Sequence, residues 1–374
     1  MVLSSGKRCS ILIASSLVIR KLTIRNESLH KEEYFLGNTV LEIENLRTSF
    51  NIKGKYYAAV DDVSMKIHEN EVLAVVGESG CGKSALALSI IGLHEARITK
   101  LEGQINFKGQ NILNLSRARL NKIRGKDLGM IFQDPMTALN PLATIGAQIT
   151  EPMKYHLKLS PGDMKKRTLE LLRRVGIKNE NRIFSQYPHE LSGGMRQRVV
   201  IAIALACDPI LLIADEPTTA LDVTIQAQIM DLMKELQAQM KSGILLITHD
   251  LGVVAEMADR VAVMYAGQIV ELAEVTSIFS NPLHPYTRSL LSSIPSNIPD
   301  KGRLHVIQGI VPALQNLDRN GCRFAPRIPW IAANEHEQNP ELHEVSPGHF
   351  VRCTCYKNFH FDTEELGEEH HVPT

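Results

Sequence analysis

Residues 72–84 read Val-Leu-Ala-Val-Val-Gly77-Glu78-Ser79-Gly80-Cys81-Gly82-Lys83-Ser84, and the helical pattern Ala85–Ile91 follows directly. A short continuous apolar run, a Gly-rich turn and a helix start make a strand–loop–helix unit. The loop matches G-x-x-x-x-G-K-S in the context that motif requires. Its glycines let successive backbone N–H groups curl round an anion, and the helix N-terminus adds partial positive charge. Lys83 is placed to reach the β- and γ-phosphates of a nucleoside triphosphate, and Ser84 to ligate Mg²⁺. Gly77, Glu78, Ser79, Gly80, Cys81, Gly82, Lys83 and Ser84 are therefore the expected phosphate cradle. Cys81 reads as a tolerated small residue, not a nucleophile.

On either side of this unit the pattern stays regular. Leu41, Ile43 and Leu46 alternate loosely with polar residues, and Val60–Ile67 alternates again, which predicts strands of a small antiparallel layer. Ile210–Ala214 and Ile244–Thr248 are compact apolar runs like Val72–Val76, suited to strands buried on both faces. Ile225, Ile229, Leu232, Met233, Leu236 and Met240 share one helical face. Strands alternating with helices predict an α/β fold with a parallel core sheet. Residues 136–190 lack β runs and carry Leu169, Leu172 and Val175 at helical spacing, so an inserted helical subdomain is expected over about 136–200.

The run from Ile210 ends in Asp215-Glu216. At the C-terminal edge of an open α/β sheet, Asp215 can hold Mg²⁺, and Glu216 can polarise an attacking water as general base. Shortly before lies Leu191-Ser192-Gly193-Gly194-Met195-Arg196-Gln197-Arg198, leading into the apolar helix Val199–Cys207. Ser192, Gly193 and Gly194 at that helix start offer a hydroxyl and close N–H groups, a second anion site. One chain cannot easily bring that site to its own loop. A head-to-tail pair can, with the nucleotide between the loop of one copy and the Ser-Gly-Gly of the other.

With these stretches in this order, the sequence resembles the ATP-binding-cassette family over roughly 40–295. The resemblance implies a P-loop NTPase cassette that binds and hydrolyses ATP with Mg²⁺. It implies that Gln133, in Ile131-Phe-Gln-Asp-Pro-Met, contacts Mg²⁺ or water and relays to a membrane partner. It implies that Ala220-Leu221-Asp222 faces the other cassette and that His249, in Ile247-Thr-His-Asp, contacts the γ-phosphate. Phe50, in Thr48-Ser-Phe, falls where the family stacks an aromatic on adenine, with Tyr57 as the alternative. Met195 replaces a frequent glutamine. Asn281-Pro-Leu-His284-Pro285-Tyr286-Thr287 resembles the C-terminal segment of oligopeptide and dipeptide importer cassettes, as do Tyr187–Arg198 and Ala214–Gln226. Nickel and glutathione importers share these features.

That subfamily places four cysteines in its tail, which in some members hold an iron–sulfur cluster. Here Cys322 and Cys353 stand at two of those positions, Ile328 stands where a second is expected, and Glu335 lies near the third. Cys355 offers another thiol at a spacing foreign to the family. Such clusters want four thiolates, so no stable cluster is expected. The surface-turn reading of His284–Tyr286, with Pro-fixed geometry, stands beside the subfamily reading.

Composition agrees with a cassette. The 374 residues suit two or three domains; 44% are hydrophobic and 22% charged. Lys+Arg and Asp+Glu both number 41, which argues against a bulk polycationic grip on nucleic acid. No apolar run reaches bilayer length, and six cysteines are too few for a stapled secreted domain, which points to a reducing compartment. The expected layout is a poorly structured extension (1–39), the ATPase domain (40–280) and an irregular extension (281–374). Lys7-Arg8 before Cys9–Ile19 looks like a signal peptide but no cleavage site follows, and a start near Val40 would fit.

The expected function is ATP hydrolysis driving peptide import through two separate permeases, with a second cassette and a solute-binding protein as partners and no nucleic acid. The expected place is the cytoplasmic face of the membrane. The rivals are a nickel or glutathione importer cassette, a soluble cassette clamp on nucleic acid or the ribosome, and a redox or metal sensor built on the C-terminal cysteines.

Overall fold

A computed structural model of the chain describes residues 37–218, 223–293, 307 and 309–361. The N-terminal extension expected over 1–39, Ala220-Leu221-Asp222 and the charged stretch Glu364–His371 lie wholly or almost wholly outside them. Strands β1 (Thr39–Ile52) and β2 (Lys55–His68) form a long hairpin; β3 is Val72–Val76, β4 Thr99–Phe107 and β5 Gln110–Asn111. β6 (Leu128–Ile131), β7 (Leu211–Asp215), β8 (Gly243–Thr248), β9 (Arg260–Tyr265), β10 (Gln268–Glu274), β11 (Leu342–Ser346) and β12 (His349–Arg352) complete the set.

β1, β2, β4 and β5 make a four-stranded sheet in the order β2-β1-β4-β5, all antiparallel. The other sheet has eight strands in the order β11-β12-β10-β9-β3-β8-β7-β6. Its β6, β7, β8, β3 and β9 run parallel, as continuous apolar runs buried on both faces require. Every residue of β3, β7 and β8 is buried. The apolar side chains of β1, β2 and β4 pack on one face of this sheet with Leu86 and Ile90 of the helix Lys83–Ile91.

The helices Ile145–His156, Pro161–Arg174, Gly193–Ala204 and Val223–Met240 gather into a second core with Ile131, Leu212, Ala214, Ile244 and Leu246. Local sequence sets their starts. Thr144, Ser160 and Ser192 each cap a helix, their hydroxyls accepting from N–H groups three residues on. Ile229, Leu232, Met233 and Leu236 are buried, the face their spacing predicts.

Among the described residues, the extension after residue 280 is irregular over 309–324 and 328–332. Its helix Pro285–Ser292 and the β11–β12 hairpin are additional order that the Pro-rich composition hides. β12 adds to β10 through Glu271↔Val351 and Leu272↔Phe350, so the tail extends the core sheet. Tyr265 of β9, Tyr286 and Phe324 form a buried aromatic trio with ring centroids 4.8–5.5 Å apart. No helix among the described residues is long and apolar enough to cross a membrane.

Candidate functional site

The candidate site lies at the C-terminal ends of the parallel strands, where open α/β sheets gather ligands. The loop Gly77–Gly82 leaves β3 and enters the helix Lys83–Ile91. Two glycines are needed there sterically. A Cβ on Gly77 would lie 2.1 Å from the Met264 carbonyl oxygen, and one on Gly82, at φ 108°, 2.4 Å from that of Ala59. Lys83 is buried, and its ammonium donates to the carbonyl oxygens of Gly77 (2.7 Å) and Glu78 (3.0 Å), spanning the loop's mouth. Ser79, Gly80 and Ser84 are exposed. Cys81 is buried, and burial pushes its thiol up, against a nucleophilic role.

Around the loop stand the ends of β7, β6 and β8. The Ser84 hydroxyl donates to Asp215 Oδ1 at 3.2 Å. Burial raises the Asp215 carboxyl above its ordinary value, which a divalent cation would reverse. A hydroxyl and a carboxylate so placed are the hard oxygen donors that suit Mg²⁺. Glu216 follows with φ 47°, unusual for a residue with a side chain, its N–H donating to Ile247 O at 2.8 Å. Its carboxylate accepts from Gln133 Nε2 at 2.9 Å and lies 3.3 Å from His249 Nδ1. The structure thus brings together Lys83, Ser84, Gln133, Asp215, Glu216 and His249, which the sequence separates by up to 166 positions (249 − 83).

The expected Ser192, Gly193, Gly194 and Phe50, with its alternative Tyr57, are not part of that group. The exposed Ser192 hydroxyl accepts from Met195 N–H at 3.4 Å, and the hydrogen bonds of Ser192 stay within its own helix. Gly193 has open space where a Cβ would be, and Gly194 lies beside Ile225. Phe50 and Tyr57 are direct partners across the β1–β2 hairpin, and the Phe50 ring meets His94 edge-on at 5.3 Å.

Sequence reasoning missed the tail's contribution. The Tyr286 hydroxyl accepts from Glu78 N–H at 2.8 Å, and Arg327 grips the Glu78 carboxylate with two donors at 2.5 and 3.2 Å. His284 and Tyr286 are buried, which overturns the surface-turn alternative. The His284 ring caps its helix by accepting from Tyr286 N–H, and Glu271 accepts from the N–H groups of Leu283 and His284. The only sequence signal for these contacts was the His-Pro-Tyr segment and Gly-Cys-Arg-Phe-Ala-Pro-Arg.

Comparison with known proteins agrees with this geometry. The ABC transporter family profile matches residues 60–219, and the profile of the oligopeptide/dipeptide transporter C-terminal region matches 270–330. The oligopeptide transport ATP-binding protein OppD of Lactococcus lactis subsp. cremoris (strain SK11) is 49% identical over 88% of this chain and 98% of its own length. The chain belongs to the ABC transporter ATP-binding family. The AppD oligopeptide transport ATP-binding protein of Bacillus subtilis (strain 168) is 50% identical over 86% of this cassette and 98% of its own length. Among solved structures, the ATP-binding cassette MJ0796, in a dimeric post-hydrolysis state bound to ADP and Pi, is 29% identical with a TM-score of 0.57. It spans 63% of this cassette and 98% of that chain.

Proposed function

We propose that this ATPase cassette powers uptake of dipeptides or oligopeptides through two separate membrane permeases, fed by a solute-binding protein. It works as one of two cassettes, its partner a paralogue, bound peripherally at the cytoplasmic face of the membrane. The identity to oligopeptide transport ATP-binding proteins along nearly their whole length, tail included, supports this cargo. The observation that carries the chemistry is the Glu216 carboxylate, held by Gln133 and His249 beside the Ser84–Asp215 pair.

The loop amides and Lys83 bind the β- and γ-phosphates, Lys83 exchanging its two carbonyl partners for phosphate oxygens. Ser84, Asp215 and Gln133 would hold Mg²⁺, which when bound neutralises charge developing on the phosphates. Glu216 orients a water and takes its proton, and His249 and Gln133 fix the carboxylate for that task. Ser192, Gly193 and Gly194 serve the nucleotide of the facing cassette, so the pair closes on ATP and reopens after hydrolysis. Phe50 or Tyr57 stacks on adenine.

Reconstitution of the cassette pair with permeases and binding protein in vesicles tests this. ATP-dependent accumulation of labelled peptide is expected. Uptake of nickel or glutathione instead would move the cargo assignment. A chain that recovers nucleic acid and no permease would sink the transport reading.

A further inference from the structure

Outside the nucleotide site, Cys322, His336, Cys353 and Cys355 converge, with one ligand atom from each lying within 4.8 Å of the other three. The three thiols are buried and form no disulfide. Both ring nitrogens of His336 are sealed from solvent and have no hydrogen-bond partner. A buried imidazole left unsatisfied at both nitrogens loses its hydration and gains nothing in exchange, unless an ion supplies the missing partner.

We propose that Cys322, His336, Cys353 and Cys355 hold one tetrahedral zinc ion. Three thiolates and an imidazole are a closed structural zinc set, and these donors prefer zinc over hard cations. Zinc–sulfur bonds of about 2.3 Å at tetrahedral angles put ligand atoms about 3.8 Å apart, so a small inward movement suffices. A four-iron cube spreads its ligands over separate corners and needs a wider cage. The positions where the resemblance places further cysteines also point elsewhere. Ile328 is buried in an apolar cluster, and the Glu335 carboxylate accepts from the Asn358 amide.

The local chain path builds the cage. Cys353 leaves β12 at φ 68°, and the turn Thr354–Lys357 brings Cys355 back beside it. Each thiol gives its proton to solvent as the ion binds. Cys322 adjoins Arg323, which pairs with Asp61, and precedes Arg327, which pairs with Glu78. The ion therefore fastens to β12 the segment that props the phosphate loop, in a stretch with little regular structure of its own.

The full chain, purified without chelators and under argon, is assayed for zinc, iron and acid-labile sulfide. About one zinc per chain without iron is expected. The stripped chain refilled with Co²⁺ should show tetrahedral ligand-field bands with thiolate-to-cobalt charge transfer. His336→Ala and Cys355→Ser should each weaken Co²⁺ binding at least about tenfold, while Glu335→Gln leaves it unchanged. ATP binding and circular dichroism report whether each variant is folded. The proposal is overturned by a folded chain that takes up neither metal, by parent affinity in folded His336→Ala, or by stoichiometric iron with sulfide.

Discussion

The backbone N–H of Glu78, inside the phosphate loop, donates to the phenolic oxygen of Tyr286, 208 residues further along the chain. The tyrosine is fully buried, and burial pushes its hydroxyl well above the ordinary phenol value, so it stays a neutral hydroxyl that can accept this bond. A loop that must present its amides to phosphate is thereby held from behind by the tail.

Tyr286→Phe keeps the ring and removes that acceptor. An orphaned, partly buried N–H costs about 1–3 kcal/mol. The variant should fold, with ATP affinity lowered about fivefold or more, measured by titration with a fluorescent ATP analogue. Unchanged affinity would mean that the contact is only packing.

Glu216→Gln should bind ATP as the parent does and hydrolyse it about 10²–10⁴-fold more slowly. His249→Ala should slow turnover less, since it leaves the carboxylate in place. Steady-state phosphate release beside equilibrium ATP binding separates the two effects. A Glu216→Gln assembly that turns over at the parent rate would remove the general-base assignment.

Gly77→Ala and Gly80→Ala discriminate steric need from backbone preference. The new methyl at 77 runs into the fixed Met264 carbonyl, whereas at 80 nothing lies within 4 Å and only φ 81° is unfavourable. Gly80→Ala should cost about 1–2 kcal/mol, and Gly77→Ala should cost more and abolish ATP binding. Thermal melts with and without ATP check the order.

Asp61 carries the tail's other anchor, accepting from Arg47 at 2.7 Å, from Arg319 at 3.2 Å and from Arg323. Burial alone would raise its carboxyl, but Arg323 and Arg47 together hold it below the ordinary value of 3.8. A lowered folded value means that the ionised group stabilises the fold. That contribution is complete above the ordinary carboxylate value and is lost as pH falls below it, through the folded value. Asp61→Asn should lower stability by about 3–5 kcal/mol near neutrality, because Arg323 is left buried without its charge partner. It should also flatten the acid limb of the melting-temperature profile. An unaltered limb would assign the acid loss to other carboxylates.

Legibility followed range along the chain. The phosphate loop, the Asp215-Glu216 strand end and the apolar runs of β3, β7 and β8 were readable because five to eight neighbouring residues carry each signal. β6, at four residues, is too short for periodicity to declare itself. β4 alternates Leu101, Ile105 and Phe107 with polar residues, but Gly103 breaks the apolar set and most of its residues face solvent at least in part, which weakens the signal. β12 joins the core sheet by pairing with β10, and nothing in its own four residues announces that partner.

The sequence alone determined that a strand, a Gly-rich loop and a helix start follow one another at β3, with acid residues at a strand end and a Ser-Gly-Gly helix start, because backbone turns and helix dipoles are local properties. It located His336 nowhere. Only tertiary structure decided that Glu216 is gripped by Gln133 and His249, that Tyr286 and Arg327 brace Glu78, and that one imidazole meets three thiols. Those are meetings of side chains from distant segments. Their short range makes them invisible until burial of the sheet and its tail fixes which segments are neighbours.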